Sequence, residues 1–120
     1  MSAEEQARVD EFRRLLYTTE EKIDPLTNQR RWVAAPTPMR QAYDAARQAY
    51  EAAVQRYNAL RLDATTSSEP RTVLEFSRNA PLYRRQVQDA LATWISAGYK
   101  HEVEQMEAYI AQVTGREASY

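Results

Sequence analysis

A short segment late in the chain carries the side chains best suited to metal chemistry. In HEVEQME, the single histidine, His101, is followed at intervals of three by Glu104 and Glu107. On an α-helix this spacing places an imidazole and two carboxylates roughly on one side, where they could hold a divalent metal ion. The order reverses the Glu-x-x-His pairs of di-iron bundles, and Gln105 occupies the second histidine position of an HExxH motif. We expect a solvated acidic helix face and keep these three residues as weak metal-ligand candidates.

The composition argues against nucleophilic catalysis and phosphate binding. The chain has no cysteine and a single histidine, and none of its serines lies in a Gly-x-Ser-x-Gly turn. Phosphate-binding loops need clustered glycines, whereas Gly98 and Gly115 are the only two in the chain. Carboxylate-only chemistry such as glycoside hydrolysis is not excluded by sequence. We predict a non-enzymatic protein that needs no cofactor.

A second group of candidate residues, Arg30, Arg31 and Trp32, lies in the proline-containing segment 25–38. Two guanidinium groups beside an indole could stack on a base or bind the carboxylates of a partner. Alternatively, Trp32 and Val33 dock on the helices and hold the segment down, while the arginines pair with nearby acids. Because loops carry function more often than helix faces do, we treat the first three residues as partner-binding candidates.

Three tyrosines, Tyr43, Tyr50 and Tyr57, recur at intervals of seven. If they are position a of a heptad, position d is small or apolar, so a neighbouring helix can approach between the rings. The d positions are Ala46, Ala53 and Leu60. The pattern predicts a packing seam whose partner helix comes either from the same chain or from a second copy. In the second case the three tyrosines would be partner-binding residues.

Helical periodicity of apolar residues appears in four segments. We predict three long helices at about 3–24, 38–62 and 80–114, with a short helix near 70–77. With very few glycines for tight turns, the fold class is all-α, an antiparallel bundle of the three long helices.

Local residue signals place the ends of these helices. Ser2 with Glu5 forms a capping-box pattern, and Thr37 before Pro38 is a cap followed by proline at the first helical position. Pro25 ends the first helix, Asn79 and Pro81 open the last, and Gly115 closes it. At 1.5 Å per residue the last helix would be roughly 50 Å long. Such a helix exceeds what two neighbours can cover evenly, so its surplus apolar turns need cover from the short helix, the segment 25–38, another copy or a further domain.

The charge and hydropathy of the chain argue against two kinds of binding partner, nucleic acid and the membrane interior. Its 16 basic and 17 acidic residues give a formal net charge of −1, which argues against nucleic acid as a partner. No apolar run is long enough for a transmembrane helix, and the N-terminus does not read as a signal peptide. We expect a cytoplasmic protein by default, with export by a route that uses no signal peptide left open.

Residues 1–120 are expected to form a single helical domain, either alone or as part of a larger protein. The predicted function is an interaction or assembly module that binds a protein partner or itself, as a homo-oligomer. One alternative is a helical bundle that binds a metal ion or small ligand. Another is a helical domain of a larger protein whose activity lies elsewhere. No motif in the chain identifies a family.

Overall fold

The structure is a computed structural model that describes residues 1–118, with the side chains of residues 1–115. Within that range the chain forms four helices and one two-stranded sheet, with none of these helices long and apolar enough to cross a membrane. The elements are α1 (Ala3–Leu16), β1 (Tyr17–Ile23), β2 (Arg30–Pro36), α2 (Pro38–Thr66), α3 (Pro70–Ser96) and α4 (Lys100–Ala118). They divide into unit 1 (Met1–Tyr43 with Tyr99–Tyr120) and unit 2 (Asp44–Gly98).

Helix α1 begins at the predicted cap and ends earlier than predicted. The Glu5 N–H donates to Ser2 Oγ at 3.1 Å and the Ser2 N–H donates to Glu5 Oε1 at 3.2 Å, so the capping box is confirmed. The helix stops at Leu16, where Tyr17 adopts extended backbone. The prediction of a helix over residues 3–24 is therefore wrong for the residues after Leu16.

A β-hairpin replaces the end of the predicted first helix and the predicted linker over residues 25–38. Strands β1 and β2 pair antiparallel, with Tyr17 opposite Pro36 and Ile23 opposite Arg30. The β-branched and aromatic residues of YTTEEKI and RRWVAAP favour extended backbone on a pleated surface. Residues 24–29 close the hairpin, and Asn28 takes the left-handed conformation there with φ 59°, which asparagine tolerates better than most residues.

The core of unit 1 lies where α1 packs against α4. Its fully buried side chains are apolar: Val9, Leu16, Val103 and Val113. Beside them the Phe12 and Tyr109 rings meet edge to face, with centroids 5.4 Å apart. This packing holds Leu16, and with it the first residue of the hairpin.

The start of α2 is fixed to the end of α1. As predicted, α2 begins at Pro38, and the Arg40 N–H donates to Thr37 Oγ1 at 3.4 Å. The Thr37 hydroxyl in turn donates to the Leu15 carbonyl at 2.6 Å, and the Thr37 N–H donates to the Leu16 carbonyl at 3.1 Å. These bonds fix the two ends of the hairpin beside each other.

Unit 2 consists of α3 and the part of α2 from Asp44 onward. The Tyr50 ring stacks on Trp94 at 5.3 Å and the Tyr57 ring lies 6.0 Å from Phe76, so the two helices run in opposite directions. Helix α3 continues through Pro81, which corrects the predicted short helix 70–77 and the predicted new start at residue 80. Proline has no backbone N–H, so α3 lacks one helical hydrogen bond at this position. The helix nevertheless continues, and its aromatic side chains contact α2.

The predicted long helix over residues 80–114 is broken where unit 2 ends. A Cβ on Gly98 would lie 2.8 Å from the Ala46 Cβ and 2.9 Å from the Trp94 carbonyl, and Tyr99 then takes a positive φ of 53°. Helix α4 begins after this break and passes through Gly115, which is therefore not a C-terminal cap. The described chain is mostly helical, as expected, but the three-helix antiparallel bundle is not confirmed.

Candidate functional site

The side chains singled out as weak metal ligands are placed on α4 with other partners. Glu104 accepts hydrogen bonds from Lys100 Nζ at 3.0 Å and from the Tyr43 hydroxyl at 3.4 Å. Glu107 pairs with Arg40 of α2, while His101 is exposed. Over the residues that the structure describes, no three His, Asp or Glu side chains come together in a way that could hold a metal ion. The two carboxylates instead join α4 to α2.

The three heptad tyrosines contact side chains of the same chain. Tyr43 is buried in unit 1, where the Arg40 guanidinium lies 5.1 Å from its ring centroid. In unit 2, Tyr50 and Tyr57 are half-buried against rings of α3. The packing seam that the heptad predicts therefore has an internal partner along these positions. Of the three rings Tyr43 is buried, while Tyr50 and Tyr57 keep part of their surface exposed.

The remaining candidates, Arg30, Arg31 and Trp32, begin strand β2 and are all exposed. Arg30 Nε lies 3.4 Å from Glu21 Oε1 across the hairpin, and Arg31 is opposite Lys22. The indole of Trp32 is 69% exposed, so the prediction that Trp32 docks on the helices is wrong. Val33, its predicted companion, is half-buried.

Trp32 belongs to a larger set of exposed apolar side chains on the hairpin. Ile23 at the end of β1 is 55% exposed, and Leu26 in the turn is 94% exposed. In the cross-strand register Ile23 and Trp32 lie on one face of the hairpin, because odd residues of β1 are opposite even residues of β2. The sequence pattern predicted neither of these additional residues, since Ile23 was assigned to a helix and Leu26 to a linker.

The turn that carries Leu26 is organised by Asp24. The Leu26 N–H donates to Asp24 Oδ1 at 2.9 Å, and the Asn28 N–H donates to the Asp24 carbonyl at 2.8 Å. The bond from Leu26, with a smaller contribution from the Thr27 side chain, lowers the pKa of Asp24 from its ordinary value of 3.8. The ionised carboxylate therefore favours the closed turn.

The hydrogen bond beside the hairpin turn shows which backbone groups of β2 face outward. The Asp24 N–H donates to the Gln29 carbonyl at 2.9 Å, which makes residues 24 and 29 a hydrogen-bonded pair. Such pairs alternate along an antiparallel ladder with pairs that do not bond each other. Consequently Arg30, Trp32 and Ala34 direct their N–H and C=O groups to the outer edge of β2. Within the described residues the sheet has two strands, so no third strand covers this edge.

The two outer edges of the hairpin differ in charge. Strand β1 carries Glu20, Glu21 and Lys22 at its centre, whereas residues 32–35 of β2 are Trp, Val, Ala and Ala. Charged side chains are a common protection of an edge strand against pairing with another chain. The edge of β2 lacks that protection from Trp32 onward, because its charged residues Arg30 and Arg31 both lie at one end.

No protein-family model, no curated protein and no solved structure matches this chain. The hairpin is the surface where exposed apolar side chains and outward-facing backbone groups occur together.

A shallow groove lies beside the base of the hairpin in unit 1. It has a volume of about 420 Å³ and is lined by Arg13, Leu16, Tyr17, Ala34, Glu107, Ile110 and Ala111. Its walls are mostly apolar, with one guanidinium and one carboxylate at the margin. The groove extends the apolar surface of Tyr17 and Ala34 toward α4.

Proposed function

We propose that this chain is a non-enzymatic assembly module that associates with itself, and that the β1–β2 hairpin is its contact surface. The observation that carries the proposal is the exposure of Trp32, which is 69% accessible on a strand with a free edge. Large aromatic side chains are enriched in the cores of protein interfaces, where they supply much of the binding free energy. Ile23 lies on the same face as Trp32, where the Arg30–Glu21 ion pair accompanies the two apolar side chains.

The marginal stability of a small sheet supports the same proposal. All seven residues of β1 are exposed, and only Val33, Ala35 and Pro36 of β2 are half-buried. An isolated two-stranded hairpin is at best marginally stable in water, and three or more strands with an apolar face are usually needed. Contact with another chain would supply the missing cover.

Two alternatives predicted from the sequence have less support. For the metal-binding alternative, Glu104 and Glu107 are already engaged by Lys100, Tyr43 and Arg40. The alternative of a helical domain within a larger protein stays a prediction.

Light scattering of the purified chain over a wide concentration range tests the proposal. We expect the mass to rise from that of one chain toward that of two, and Trp32→Ser to weaken the association by about 30-fold, as for an interface residue worth about 2 kcal/mol. Leu74→Ser is the matched control, because Leu74 is 66% exposed but lies on α3. A wild-type chain that stays monomeric at the highest concentration, or equal effects of the two substitutions, would contradict the proposal.

A further inference from the structure

We infer that two copies of the chain join through the outer edges of their β2 strands, forming one antiparallel four-stranded sheet in the order β1-β2-β2-β1. This inference rests on the proposed function and specifies its geometry. The partner is a second copy, held by backbone hydrogen bonds and by apolar side chains on both faces of the sheet. A two-fold axis normal to the sheet relates the two copies, so each contributes the same residues.

The charge on each edge selects β2 over β1. If β1 paired with β1 of a second copy in full overlap, Glu20 would lie opposite Glu20 of that copy. Like charges directly opposite each other destabilise a sheet. Full overlap of β2 with β2 instead places Val33 opposite Val33, with Arg30 and Arg31 toward the two ends. The central residues of β2 thus form an uncharged, self-complementary pairing.

Backbone geometry allows that same register. Only the even-numbered residues of β2 direct their N–H and C=O groups outward, so bonded pairs across the new contact must join even residues. Centring the pairing on Val33 satisfies this condition, because Trp32 then lies opposite Ala34 of the second copy. Each of the two equivalent Trp32–Ala34 pairs exchanges hydrogen bonds in both directions. Val33, whose groups bond to β1, lies on the axis as the non-bonded pair.

The end of the pairing is also set by the sequence. Pro36 has no N–H, and its carbonyl already accepts a hydrogen bond from Gln41 Nε2 at 3.1 Å. The chain then turns into α2 at Pro38. The added backbone pairing therefore ends before Pro36.

Side-chain sizes fit the pairing on both faces. On one face the indole of Trp32 lies beside the methyl group of Ala34 of the second copy, so a large side chain meets a small one. On the other face Val33 lies beside Val33 of the second copy, and Ala35 lies opposite Arg31 of that copy. Four strands with apolar cover on each face exceed the number at which small sheets become stable.

Blocking each edge separately tests this geometry in the 120-residue chain. Ala34→Pro removes an outward N–H from β2, and Thr19→Pro removes an outward N–H from β1, while neither N–H takes part in the hairpin ladder. We expect Ala34→Pro to weaken dimerisation at least about 30-fold, and Thr19→Pro to change it less than about 3-fold. Equal effects of the two variants on a dimer that does form would overturn the edge pairing and leave the proposed self-association intact.

Covalent trapping gives a test that does not depend on a proline being tolerated. The chain has no cysteine, so Val33→Cys introduces a single thiol. In a non-bonded antiparallel pair the two Cα atoms are about 4.5 Å apart, within the range that a disulfide spans. We expect mild oxidation to give a disulfide-linked dimer with Val33→Cys and none at the same rate with Glu20→Cys, which lies on the same face one strand away. Failure of Val33→Cys to cross-link in a sample that light scattering shows to be dimeric would overturn the inference. A monomeric wild-type chain would instead overturn the proposed function.

Discussion

The charge state of Asp24 contributes to the stability of the hairpin turn. Its carboxylate accepts the Leu26 N–H, which lowers the pKa of Asp24 below 3.8 in the folded chain. A lowered folded-state pKa means that the stabilisation is complete above the unfolded pKa and is lost as pH falls through the folded pKa. We expect the Leu26 amide to lose protection from hydrogen exchange on acidification below about pH 4.

Carboxyl NMR titration of Asp24 measures this effect directly. Asp24→Asn is the control, because an amide oxygen can still accept the Leu26 N–H but does not titrate in this range. Its Leu26 protection should show no acid transition of this kind. A midpoint for Asp24 at or above 3.8 would show that the turn does not favour the ionised carboxylate.

The roles of Glu104 and Glu107 show what helical spacing can and cannot predict at single residues. The spacing correctly indicates that both lie on α4, close to His101. Their partners Tyr43 and Arg40, however, are on α2, more than 60 positions earlier in the chain. Contacts at that separation depend on how helices pack, which the spacing of one segment does not contain.

Gly98 sets the break between α3 and α4, and its replacement is expected to be costly. In Gly98→Ala the new methyl group would lie 2.8 Å from the Ala46 Cβ and 2.9 Å from the Trp94 carbonyl, so backbone has to shift. Overpacking of this kind costs about 1–3 kcal/mol. Denaturant unfolding should show that loss, and Ala46→Gly in the same chain should restore part of it.

Gly115 is the control position, where the same glycine-to-alanine substitution is expected to stabilise the fold. A Cβ there meets nothing within 4 Å, and the residue lies inside α4. Gly115→Ala should raise the free energy of unfolding by up to about 1 kcal/mol, because alanine has the higher helix propensity. If both glycine substitutions shifted stability in the same direction, the close approach at Gly98 would not explain the break.

The elements that the sequence predicted well are those whose ends depend on neighbouring residues. The starts of α1 and α2 follow from Ser2 with Glu5 and from Thr37 with Pro38, and each signal acts within a few residues. Pro81 misled the prediction because the same cap-plus-proline pattern also fits inside a helix that tertiary contacts hold together. The break at Gly98 depends on Ala46, which no local pattern connects to it.

The hairpin was missed because none of its strand residues is fully buried. Alternating burial is the usual signal of a half-buried strand, but every residue of β1 is exposed. The apolar Leu16 and Ile23 lie seven apart and so matched a helical period instead. The better signals were Thr18 and Thr19, which are β-branched, and the Asp-Pro turn that follows Ile23.

At the scale of the molecule, self-association stays a prediction, but the proposed contact surface is the hairpin instead of the α2 tyrosines. The heptad leaves open whether the tyrosines of α2 contact the same chain or a second copy, and Tyr50 and Tyr57 contact Trp94 and Phe76. The hairpin, by contrast, leaves Trp32 exposed beside a free edge. The proposed assembly therefore depends on the uncharged centre of a short strand rather than on the long helices.

The balance of charge over the whole chain predicts how this assembly responds to salt. With a formal net charge of −1, two copies repel each other little. The proposed contact joins Trp32, Val33 and Ala34, so its free energy should depend weakly on screening. Raising the ionic strength from about 0.01 M to about 1 M shortens the Debye length from about 30 Å to about 3 Å. We expect the dimer dissociation constant to change less than about 3-fold over this range.

Sedimentation equilibrium measures the dissociation constant at each ionic strength. Val33→Lys is the control, because two ammonium groups at the axis should make dimerisation of this variant clearly stronger in high salt. Dissociation of the wild-type dimer by salt would instead indicate that charged side chains such as Arg30 and Arg31 hold the two copies together.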